Sequence, residues 1–132
     1  MKYDDNNIFA KILRKEIPCQ KIFENEHVLS FYDINPQKKI HALIIPKGKY
    51  INLDDFNCRA SEEEILALSK AITDVAKILG ISIGKGKGYR VLTNLGEHGA
   101  QEVPHLHFHL FGGEQIGRMV EWEKRFIENT WK

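Results

Sequence analysis

The chain has 132 residues, 42% apolar and 28% charged, an ordinary globular composition with length enough for one domain and a hydrophobic core. Its net charge of +1 supplies neither the basic stripe that a nucleic-acid polymer needs nor an acidic tail, whereas a mononucleotide would require only a local site. No apolar run approaches membrane-spanning length, and the opening MKYDDNNIFAKILRKEIP is too charged for a secretory signal.

Cys19 and Cys58 lack any CxxC or zinc-type spacing, which predicts two free thiols and a cytoplasmic protein with no membrane partner. No repeat or linker divides the chain, so residues 1–132 read as a single domain. In NNIFAKILRKEIP, Ile8, Phe9, Ile12 and Leu13 form one helical stripe, with Asn6 or Asn7 as cap and Pro18 beyond the end. KIFEN and EHVLSFYDI read as two strands around a tight turn at Asn25, and IHALIIP reads as a third. SEEEILALSKAITDVAKILG carries the strongest helix pattern. Ser61 and Glu64 make a capping box, Ile65, Leu68, Ile72, Val75 and Leu79 recur at helical spacing, and Gly80 terminates it. GKGKG lacks phosphate-loop spacing and no helix follows it, so it is expected to be a turn. YRVLTN and HLHFHLFG are the last two strands, joined by LGEHGAQEVP. The tail GRMVEWEKRFIENTWK, residues 117–132, is expected to form a final short amphipathic helix, with Val120, Phe126 and Ile127 as contacts. The order predicts an α+β layout, an antiparallel sheet with the long helix over one face.

Chemistry concentrates in PHLHFHLFGG. His105, His107 and His109 alternate with Leu106, Phe108 and Leu110. In a strand the three apolar residues face a core and the three imidazoles share the other side, roughly 6.5–7 Å apart along the backbone. Three explanations compete on spacing alone: polar residues on a wet sheet face, a metal site built on His-x-His, or nucleophilic catalysis at phosphorus. The upstream loop LGEHGAQEV, with its glycines, glutamine and backbone N–H groups, favours phosphorus chemistry.

HLHFHL followed by Phe111 matches His-φ-His-φ-His-φ-φ, and the chain resembles the histidine triad (HIT) family, in particular its nucleoside phosphoramidate hydrolase branch. IFAKILRKEIP, FYDINPQ, HALIIPK, RVLTN and GAQEVPHLHFHLFGG carry the resemblance over residues 8 to 122, with 119–132 as an extension. It implies a HIT-like fold, a five-stranded antiparallel sheet covered by one long helix and one short N-terminal helix. It also implies a homodimer that hydrolyses purine nucleoside phosphoramidates or mixed nucleotidyl anhydrides of the AMP or GMP type. The middle histidine, His107, would be the nucleophile and form a nucleotidyl-histidine. Its other nitrogen should donate to a fixed acceptor, expected to be a main-chain carbonyl, which locks the tautomer.

By the same resemblance His109 contacts phosphate, His105 is the first triad member and His41 supports the triad. Asp33 holds the ribose hydroxyls, while Ile34, Phe31, Phe9 and Ile12 surround the base, although core packing explains these four equally well. Asn94 lies on the phosphate side, and Gln101 with the backbone of Ala100, Glu102 and Val103 forms the phosphate loop. Two departures from the family stand out. Glu102 stands where a serine near the leaving group is common. Asn7, Ala10 and Lys49 stand where some members carry the cysteine pair and histidine of a structural zinc, so neither metal nor cofactor is expected. A diadenosine polyphosphate hydrolase or nucleotidyltransferase, and a nucleotide-binding scaffold of little activity, are the rival readings.

Overall fold

The computed structural model describes residues 2–120. The expected tail helix therefore falls largely outside the described residues, Phe126 and Ile127 included, while Val120 is exposed.

Helix α1 (Ile8–Leu13) begins at Asn7, whose side-chain oxygen accepts from the Ala10 N–H at 2.9 Å, so of the two candidates Asn7 is the cap. It buries Phe9, Ala10 and Ile12. Strands β1 (Lys21–Glu24) and β2 (Val28–Tyr32) form the expected hairpin, because Asn25 folds its side chain back onto the N–H groups of His27 and Val28, both at 2.9 Å. Strand β3 (Ile40–Pro46) pairs antiparallel with β2.

A short helix, α2 (Leu53–Arg59), was not expected. Asn52 caps it, Asp54 and Asp55 occupy its first turn, and Arg59 reaches back to Asp55 at 2.6 Å. Phe56 is its sole buried residue, so no apolar period betrays it. Helix α3 (Glu62–Ile78) has both bonds of the capping box between Ser61 and Glu64, and Gly80 takes the left-handed φ of +73° that lets the chain leave it. Strands β4 (Arg90–Leu92) and β5 (Phe108–Gly112) complete an antiparallel sheet in the order β1-β2-β3-β5-β4.

Strand periodicity divides the sheet into two faces. Val28, Ala42, Ile44 and Leu110 pack under α3 with Leu68, Ala71 and Val75. Leu29, Phe31, Leu43 and Ile45 point the other way and pack with Phe9 and Ile12 of α1. Each fully buried Leu or Ile contributes about 1.5–3 kcal/mol against leaving it in water. The six-residue α1 packs on the β2–β3 end of this face. His41 and His109 occupy the same face of β3 and β5.

The strand expected over HLHFHLFG is shorter than its alternation. Pairing of β5 with β3 begins at Phe108 opposite Ile44. Continued, the register would set Leu106 against Pro46, which has no N–H to give. The Leu106 N–H goes instead to the Tyr50 carbonyl at 2.8 Å. Leu106 is nonetheless in the α3 core, so the alternation of faces outlasts the strand.

Candidate active site

The imidazoles do not lie on a wet face. His105 is 0%, His41 3% and His107 6% exposed, with His109 half-buried. Phe9 of α1 packs against His105 and His107, its ring meeting that of His107 edge-on at 4.9 Å between centroids. The rings of His107 and His109 stand 5.1 Å apart, and those of His109 and His41 5.2 Å.

Neighbours of fixed polarity determine which nitrogen of each ring carries the proton. The Nδ1 of His107 is 2.8 Å from the His105 main-chain carbonyl, which only accepts; Nδ1 is therefore protonated and Nε2 holds the lone pair. That Nε2 bonds to no described residue. The Nε2 of His105 donates to the Pro46 carbonyl at 2.9 Å, leaving Nδ1 to accept from the Tyr3 hydroxyl at 2.6 Å. His41 Nδ1 accepts from the Gln37 N–H at 3.1 Å, so its Nε2–H points to His109 Nδ1 at 2.9 Å, with the Asp33 carboxylate 3.5 Å away. His109 is thereby left with its proton on Nε2. The group presents one bare lone pair, on His107, beside one N–H donor, on His109.

Burial disfavours the charged form of each ring. It pushes His105 down to about 4, assisted by the neighbouring His107. It pushes His109 down to about 4 as well, with His107 and His41 adding repulsion. Burial also holds His107 below the ordinary histidine value, opposed by the His105 carbonyl and the carboxylates of Asp33 and Glu102. His41 is lowered by burial, with Asp33 opposing. The set is neutral at pH 7.

For stability, the unfolded chain takes up protons near the free-histidine pKa of about 6.5, while folded His105 and His109 do not until about 4. Over that window the unfolded state binds more protons, so stability is full above about pH 6.5 and falls as the pH falls. The melting temperature is expected to drop by about 5–10 °C between pH 6.5 and 4.5. A melting temperature that holds or rises on acidification in a thermal scan would contradict the burial of neutral rings.

The other candidates are placed as follows. Asp33 uses Oδ1 to accept from the Asn35 N–H at 2.8 Å, a turn, and turns Oδ2 toward His41. Ile34 beside it is 89% exposed, an apolar side chain held in solvent. Phe9, Ile12 and Phe31 belong to the α1 core cluster. Asn94 is half-buried at the end of β4, where Thr93 donates to the His107 carbonyl at 2.8 Å. In the loop, Gln101 spends both amide hydrogens on main-chain carbonyls, Ile51 at 2.7 Å and Val103 at 3.0 Å. The N–H groups of Ala100 and Gln101 are also committed, to Glu97 and Gly96. Those of Glu102, Val103 and His107 donate to no described residue. Gly99 cannot be replaced here, since a Cβ would stand 2.3 Å from the Leu95 carbonyl oxygen. Glu102 itself is exposed. Sequence reasoning missed Tyr3, Pro46 and Thr93, whose contacts with the histidines span up to 102 residues of chain.

The HIT domain model matches residues 14–116. A HIT-like protein of 13.2 kDa from Azospirillum brasilense is 53% identical over 118 residues, covering 89% of this chain and 94% of that one. The chain belongs to the HIT family. The purine nucleoside phosphoramidase of Escherichia coli K12 is 40% identical over 116 residues, 88% of this HIT protein and 94% of its own length. Among solved structures, a HIT family hydrolase from Clostridium thermocellum is 38% identical with a TM-score of 0.79, covering 89% of this chain and 99% of that one.

The zinc of some HIT members does not fit this chain. Asn7 caps α1, Ala10 offers no ligand, and the Lys49 ammonium pairs with Asp5 at 2.8 Å. Asp33, His41 and His109 also converge, but two nitrogens on one tetrahedral zinc stand about 3.3 Å apart. The His41–His109 separation of 2.9 Å is that of a shared proton.

Proposed function

We propose that this HIT protein hydrolyses purine nucleoside phosphoramidates, or mixed nucleotidyl anhydrides of the form AMP-X, through a covalent intermediate on His107. The observation that carries the reading is the bare Nε2 of a neutral, buried His107 whose other nitrogen is fixed on the His105 carbonyl. A neutral imidazole with its lone pair free is a competent nucleophile near pH 7.

In the first step Nε2 bonds to the α-phosphorus as the P–N or P–O bond to the leaving group breaks, and a departing amine takes up a proton. In the second, water attacks the nucleotidyl-histidine, AMP leaves, His107 recovers its lone pair and a proton is released. The net reaction consumes one water. The His109 Nε2–H donates to a phosphate oxygen, and His41 holds that ring through Nδ1. The N–H groups of Glu102, Val103 and His107 supply further donors, with Asn94 alongside. Asp33 retains lone pairs for two ribose hydroxyls, and exposed Ile34 offers the base an apolar surface. All these groups are protein groups, so no metal step is needed.

The test is product analysis with an AMP-amine conjugate against a diadenosine polyphosphate, each with and without a chelator. AMP and free amine, released equally well in chelator, are expected. Preference for the dinucleotide would favour the rival hydrolase or transferase. Tight AMP binding without turnover would favour a scaffold, and activity restored by zinc would revive a metal mechanism.

We further propose a cytoplasmic homodimer. β1 and β4 are open sheet edges, and pairing such an edge satisfies its backbone groups and suppresses aggregation. Light scattering at micromolar concentration should return twice the chain mass; a monomer would rule this out.

A further inference from the structure

We infer that Tyr3 is a positioning residue of this site: through His105 it holds His107 in the tautomer that leaves Nε2 free. The inference rests on the reading of His107 as nucleophile. The Tyr3 hydroxyl is 2.6 Å from His105 Nδ1, with the two rings edge-on at 5.6 Å and 72°. His105 is wholly buried and its Nε2–H is already given to Pro46, so Nδ1 must be an acceptor and Tyr3 the donor. Both ring nitrogens of His105 are thus tied, one to the end of β3 and one to the N-terminal segment. The peptide carbonyl of this same residue takes the proton of His107 Nδ1. Anchoring the ring anchors the acceptor that selects the His107 tautomer.

Tyr3 is itself held in place. Two residues on, Asp5 pairs with Lys49 at 2.8 Å, and its carbonyl accepts from Arg14 Nη1 at 2.9 Å. The Asn7 amide donates to the Asp4 carbonyl at 2.7 Å. These contacts lay residues 3–7 against α1 and bring the phenol onto His105. A phenol already keeps its proton at neutral pH, and burial pushes the Tyr3 hydroxyl further up, so it stands as a donor. Without that hydroxyl, Nδ1 of His105 is a buried acceptor with no partner. The ring is then free to turn or to move its proton to Nδ1, which breaks the Pro46 bond and loosens the carbonyl that His107 uses. A His107 protonated on Nε2 cannot attack, and the loss falls on the chemical step rather than on binding.

Tyr3→Phe removes one oxygen atom and keeps the edge contact. The expected result is a kcat lowered about ten-fold with KM within about two-fold of the parent. Nitrogen-15 spectra of the imidazoles, recorded without substrate, are the second readout. In the parent they should show His107 protonated on Nδ1 alone, and in Tyr3→Phe a mixture of tautomers. Lys49→Met, which frees Asp5 without touching His105, should shift both readouts in the same direction by less. Unchanged His107 nitrogen shifts in Tyr3→Phe would overturn the inference, whatever happens to kcat. Because the spectra need no substrate, they decide the role of Tyr3 even if no AMP-amine conjugate is turned over, which would count against the proposed reaction alone.

Discussion

His107→Ala is expected to lower kcat by at least about 10⁴-fold while AMP affinity changes by less than about three-fold. The variant deletes the one bare lone pair of the four-histidine group, without which the proposed nucleotidyl-histidine could not form. The groups proposed to bind the nucleotide stay: the His109 donor, the loop N–H groups and the Asp33 carboxylate. His107 is buried against Phe9, so alanine also leaves a small cavity, and a thermal scan must accompany the kinetics. His107→Asn provides the control, since asparagine restores much of the volume and an N–H but no nucleophilic nitrogen. Both variants should be equally inactive, and rapid quenching with labelled substrate should trap nucleotidyl-protein only in the parent. Appreciable turnover in either would end the covalent mechanism.

The second large effect concerns the pair His109 and His41. His109→Ala removes the N–H beside the nucleophile and is expected to cost about 10²-fold in kcat, the usual scale for one donor aimed at developing charge. In the proposed mechanism His41 acts through His109, by the 2.9 Å bond that sets the neighbour's tautomer. His41→Ala should therefore cost about ten-fold by itself and almost nothing once His109 is already alanine. A double variant whose loss equals the product of the two single losses would show that His41 acts by another route. The adjacent Asp33 carboxylate, 3.5 Å away, is the obvious one.

The elements most legible in the chain are those whose determinants are local. Ser61 and Glu64 announce the start of α3 because each bonds the other's backbone across one turn. Asn25 announces the hairpin because its side chain closes the turn on its own neighbours. α2 escaped because its signal is a cap and one buried phenylalanine, too little for a period. β5 was read too long because its N-terminal limit is imposed by Pro46 of another strand. The site was legible as a family pattern and a set of residue types, but Gln101 illustrates the limit: its amide braces the loop through Ile51, 50 residues away.

By itself the sequence determined the two-sided character of residues 105–110. Alternation puts Leu106 and Leu110 into the α3 core and the histidines opposite, a consequence of backbone geometry that needs no partner. It also determined the family, through the order of its motifs. The tertiary structure decides how the flanking rings are held, whereas the bare nitrogen of His107 follows from a carbonyl two residues before it. An isolated ring exchanges its proton between both nitrogens, and the choice falls to whichever donor or acceptor the fold brings against it. For His105 those are a carbonyl 59 residues away and a phenol 102 residues away, and for His109 an imidazole 68 residues away. Contacts at such separations leave no local trace in the chain, because they exist only once the sheet and α1 have closed on each other.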